Sequence, residues 1–102
     1  MEGVTRDHSS IDRGDWYLFA EGAQLLIGHV AEIAELKVGA RKLVRLWLDA
    51  CFRAPKEHSD GSLHVPMTRA PRSVLIRLES VAVTPLAMSA QSESVRQFRR
   101  AV

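Results

Sequence analysis

The chain is short of cysteine, of aromatic residues, of net charge and of long apolar runs. Each shortage excludes something. A single cysteine, Cys51, rules out an internal disulfide framework and fits a reducing compartment. No apolar run approaches the roughly 18 residues that a helical membrane span needs. The opening MEGVTRDHSSIDRGD has no apolar segment of the signal-peptide kind. These features predict an intracellular protein without membrane contact. Fourteen basic against twelve acidic residues leave a net charge of +2, too small to be a nucleic-acid signature by itself. Two Trp, one Tyr and three Phe are few for 102 residues, so Leu, Val, Ile and Ala must build most of the core.

Reaction chemistry is equally sparse. The sequence has no G-x-S-x-G, P-loop or dinucleotide fingerprint. His8, His29, His58, His64 and Cys51 never fall at the spacing of a close metal-ligand pair. Cys51 lies in an apolar run, which suits an inert buried thiol better than a nucleophile. Glu32 and Glu35 read as solvated surface. No catalytic residue, metal or cofactor is assigned, and the chain is expected not to be an enzyme.

An apolar fraction of 46% is that of an ordinary globular domain, and no repeat or low-complexity tract divides it. The organising stretch is Gly39 to Lys56. There Val44, Leu46, Leu48, Ala50 and Phe52 fall on one side of an extended chain, and Arg45, Trp47, Asp49 and Arg53 on the other. Asp15 to Phe19 reads as an opening strand. His58 to Ser62 reads as an Asp-Gly turn that lets His58 and His64 face each other. Ala54-Pro55 ends the organising strand, with Ala54 expected to be extended. Leu63 to Met67 reads as a short edge strand. Leu25 to Leu36 fits either strand or helix. So does Ser73 to Pro85, where a strand would need a bulge near Glu79-Ser80. Ser92 reads as the cap of a short basic amphipathic helix.

The expected fold is therefore mostly β, a small curled sheet or partly open β-barrel with a short C-terminal helix. The alternative is an all-α bundle of three or four helices. Residues 1–14 are expected to be a flexible lead-in, 15–88 one globular domain, and 89–102 a polar linker with the terminal helix.

The order IGHVAEI (27–33), KLVRLWLD (42–49), FRAPKE (52–57) resembles the core of a bromo-adjacent homology (BAH) domain. His64-Val65-Pro66 ahead of the last long strand also resembles the BAH-like segments of transposon-related fungal proteins. Over about residues 15–88, the resemblance implies a β-barrel-like module that binds chromatin proteins, histones among them, without catalysis. It implies a nuclear location; otherwise the cytoplasm is expected.

Two surfaces are candidates for binding. Trp16, Tyr17 and Trp47, grouped beside Asp49, would make an aromatic cage for a methylated lysine by cation–π attraction. The same rings would serve equally as core. Arg69 and Arg72 in one loop, with Arg96, Arg99 and Arg100 near the C-terminus, would contact an acidic partner or, weakly, phosphates. Eleven of the fourteen cations are arginine, which favours bidentate contact with either anion. The expected function is a non-enzymatic protein-interaction module of chromatin or transposon type. The alternatives are a small helical dimeric regulator that binds nucleic acid, and a fragment without separate function.

Overall fold

Tyr17-Leu18-Phe19 and Leu25-Leu26-Ile27 are apolar at every position rather than at alternate ones. A strand of that kind is stable in water only if both its faces are covered. The structure, a computed structural model, describes residues 11–101 and meets that demand. In chain order the strands are β1 (Trp16–Glu21), β2 (Gln24–Val38), β3 (Arg41–Arg53), β4 (Lys56–Glu57), β5 (Leu63–Pro66), β6 (Val74–Arg77), β7 (Ala82–Gln91) and β8 (Val95–Arg100). They form one antiparallel sheet in the order β4-β5-β8-β7-β1-β2-β3-β6, curled into a half-barrel. The mostly β expectation holds, and no α-helix occurs among the described residues.

Two cores lie on opposite faces of β1. Tyr17 and Phe19 pack with Leu26, Val30, Val44, Leu46, Leu48 and Ile76. Leu18, one position out of phase, packs with Ile27, Phe52, Leu63, Val65 and Phe98. The β2–β3 hairpin is the longest element pair. Fifteen residues at about 3.3 Å each span about 50 Å, which accounts for the 48 Å long axis.

The period-two reading of β3 fails at one place. His29 pairs with Ala50 but Val30 pairs with Leu48, so Asp49 is an extra residue on β3. Ala31 is the matching extra residue on β2, because Val30 pairs with Leu48 and Glu32 with Trp47. The bulge reverses the phase. Val44, Leu46, Leu48 and Cys51 face the first core, whereas Phe52 faces the second.

Three further expectations are corrected. Residues 89–101 are neither linker nor helix: β8 pairs with β5 and β7 and buries Phe98 completely. A free helix would have presented Phe98 to no core. Ser92 does cap, but its Oγ accepts the Val95 N–H at 3.1 Å inside the β7–β8 turn. Instead of a bulge, a 3-10 turn at Leu78–Ser80 separates β6 from β7, and these strands occupy different parts of the sheet. Ala54 is left-handed, with φ of 51°, rather than extended. Its N–H donates to the Leu25 carbonyl at 3.0 Å, which holds the chain in the turn.

The lead-in assigned to residues 1–14 lies mostly outside the described residues. Ile11, within it, is buried in the first core. Lys56 and Glu57 leave β5 with only a two-residue neighbour, so β5 is one strand in from the sheet edge.

Candidate functional site

The outer face of the β2–β3–β6 region carries large apolar side chains without cover. Trp47 on β3 stands directly opposite Leu75 on β6, and they are 43% and 55% exposed. Cross-strand partners share a face and their Cβ atoms lie within about 5.5 Å. On β2 the partner of Trp47 is the exposed Glu32, and the register continues as Ala34 opposite Arg45, Leu36 opposite Leu43 and Val38 opposite Arg41. Leu36 and Val38 are likewise exposed. Charge divides Trp47 and Leu75 from Leu36 and Val38: Arg45 stands between them, and its Nη1 meets Glu79 Oε2 at 2.6 Å in an ion pair that is largely shielded from water. Leu75 was unreadable as surface in the sequence, because it stands between Val74 and Ile76 in a continuous apolar run. Its exposure follows from β6 being an edge strand with only one face covered.

The four residues of the expected aromatic cage do not converge. Tyr17 is buried in the first core, where its hydroxyl accepts the Asp12 N–H at 2.8 Å. Trp16 points to the opposite face of β1. There it meets Phe98 with ring centres 5.0 Å apart, stacks near Phe52 at 6.3 Å and meets His29 at 5.0 Å. Asp49, the bulge residue, joins this group through His29, whose Nδ1 lies 2.7 Å from the Asp49 carboxylate. The other ring nitrogen of His29 lies 3.1 Å from the Gly14 carbonyl, which it meets as a donor. Trp47 makes no ring contact with Trp16 or Tyr17. The group reads as a wall of the second core, and Trp47 lies apart from it on the outer face, opposite Leu75.

The five candidate arginines divide into two groups, with Arg69 and Arg72 in one loop and Arg96, Arg99 and Arg100 on β8. Arg99 pairs with Asp60 at 3.2 Å and Arg100 with Glu57 at 3.3 Å, so both are already neutralised. Arg96 lies 4.9 Å over the Phe52 ring, and its Nη1 is buried without a hydrogen-bond partner. Arg69 Nη1 donates to the Arg53 carbonyl at 2.5 Å and bridges the turn to β3. Arg72 adds a backbone N–H to the Cys51 carbonyl at 3.1 Å. The loop thus caps the exposed end of β3, where bare carbonyls would otherwise invite strand addition.

The Asp-Gly turn brings together residue types that recur in hydrolases. Ser62 Oγ donates to Asp60 Oδ1 at 2.6 Å and lies 3.0 Å from His64 Nε2. The His64 ring is 3.7 Å from that of His58, so the two histidines do face each other. With its proton given to Asp60, Ser62 must receive the His64 N–H, which is the reverse of base-assisted activation. Ser62 is also wholly buried. The Ser62 hydroxyl and backbone N–H, with Arg99, hold the Asp60 carboxyl down to about 2. Desolvation and the neighbouring His58 push the His64 pKa down. This cluster clamps a turn. No group of three or more metal-ligating side chains converges among the described residues.

Comparison with protein-family models, characterised proteins and solved structures returned no match.

Proposed function

We propose that the chain is a non-catalytic protein-interaction module and that its partner sits on the outer face around Trp47 and Leu75. The carrying observation is that pair: two large apolar side chains, adjacent across strands and each about half exposed. Large apolar side chains exposed side by side on a domain surface coincide with binding surfaces. Trp is also the side chain most enriched at the centre of protein interfaces. The chromatin or transposon setting, and with it a nuclear location, comes from the resemblance to BAH domains and is part of the proposal.

The test is a titration of the full chain with nucleosomes and a panel of histone peptides, followed by Trp fluorescence. A saturable change in the wild type, lost in Leu75→Glu, is the expected result. No response to any member of the panel removes the chromatin partner, and a response unchanged in Leu75→Glu removes this face as its site.

A further inference from the structure

An open groove of about 760 Å³ runs between the end of β3 and the loop over 67–73. Cys51, Phe52 and Arg53 line one side, and Arg69, Pro71 and Arg72 line the other. Three of its side chains are arginines and none is acidic. Elsewhere Arg13, Lys42, Arg45, Arg99 and Arg100 each face a carboxylate, and Lys37, Arg41, Lys56 and Arg77, which lack one among the described residues, do not share a groove with another arginine. Arg53, Arg69 and Arg72 have no ion pair among the described residues. Like-charged guanidinium groups gathered without counter-charge repel one another, and an anion between them relieves that repulsion.

We infer that this groove binds a short polypeptide segment bearing closely spaced carboxylates. Guanidinium forks take carboxylates bidentately, and arginine clusters are a recurrent means of reading acidic motifs. Single-stranded nucleic acid fits less well. It needs exposed rings on which bases stack and a basic track to follow the backbone. The only ring in the groove, Phe52, is 2% exposed. Arg99 and Arg100, at the far end of β8, are paired with Asp60 and Glu57 and add no basic track leading from the groove. The inference rests on the reading of the chain as a protein-binding module, but it concerns a different surface from Trp47 and Leu75.

The experiment is fluorescence anisotropy of the full chain with a fluorescein-labelled peptide of about ten glutamates, against single-stranded oligothymidylate of equal charge. The peptide is expected to bind saturably at low salt and to weaken as salt is raised. Arg53→Glu/Arg72→Glu is expected to weaken it by about tenfold or more, through like-charge repulsion. Arg69 is left intact because it ties the turn to β3. The contribution of Arg72 to the fold is a backbone N–H, which substitution retains. If the double variant loses cooperative unfolding, Arg72→Gln is read instead, with a smaller loss in the same direction expected. No peptide binding to wild type, binding unchanged in the variants, or tighter binding of the oligothymidylate would each overturn the inference. Because Leu75→Glu leaves the groove intact, failure at the groove and failure at the outer face are separately visible.

Discussion

Gly28 on β2 and Leu48 on β3 share one volume: the Leu48 Cδ1 methyl fills the space that a side chain at position 28 would occupy. A Cβ at position 28 would also come within 3.1 Å of Phe19 Cε2. Leu48 and Phe19 are both fully buried, so neither can swing out to solvent. The glycine is what lets β1, β2 and β3 close around the first core.

Gly28→Ala is therefore expected to destabilise the fold by about 1–3 kcal/mol, the usual cost of overpacking a core. Urea unfolding measures it. Leu48→Val in the same chain should recover part of the loss, since the two changes meet in one space. Additive effects would show that the two positions do not compete.

Ser62→Ala is expected to cost about 1 kcal/mol, because it removes a buried hydroxyl bonded to both Asp60 and His64. The Asp60 carboxyl should then rise from about 2 toward its ordinary 3.8. Carboxyl chemical shifts followed through acid titration report that change directly.

His64 makes stability depend on pH. Its folded pKa lies below the ordinary 6.5, through desolvation first and the facing His58 second; Arg99 and Lys56 act in the same direction and Asp60 opposes them. The unfolded chain therefore binds more protons in the window just below 6.5. Stability rises with pH there, is full above 6.5 and is lost as pH falls through the folded pKa. His64→Gln should flatten the slope between pH 7.5 and 5.5 in chemical denaturation, a window placed by the ordinary histidine pKa of about 6.5. An unchanged slope would assign it to another group.

Cys51 should be slow to react. Burial raises its pKa, with only partial relief from the positive charge of Arg53, and the thiolate is the reactive form. Labelling by a thiol reagent at mild alkaline pH is expected to be slow in the native state and fast in denaturant. Rapid native labelling would mean that the groove beside Cys51 opens far enough to expose the thiol.

Leu75→Glu should leave unfolding free energy within about 0.5 kcal/mol of wild type, as expected for an exposed side chain outside the core. A larger loss in urea unfolding would mean that Leu75 packs rather than waits for a partner.

What the sequence determined by itself is the organising strand and most of the punctuation; it favoured a mostly β fold but left Leu25 to Leu36 and Ser73 to Pro85 open between strand and helix, which strand pairing decided. Alternation in Val44, Leu46 and Leu48, the Asp-Gly turn and the facing histidines are local, so short-range chemistry made them legible. What only tertiary structure decided is which face each residue occupies. The bulge at Asp49 moves Phe52 to the second core and leaves Cys51 in the first, a phase change that no periodicity reports. Phe98 became a strand residue because the second core had a place for it. A tail of Val95, Phe98 and arginines has no reason by itself to prefer strand to helix. The candidate surfaces depended most on long-range placement. Trp16 and Tyr17, neighbours in sequence, were sent to opposite faces of β1, whereas Trp47 and Leu75, far apart in sequence, were brought side by side. Arg53 joined Arg69 and Arg72 for the same reason: loop closure and strand pairing, not spacing along the chain, set which side chains share a surface.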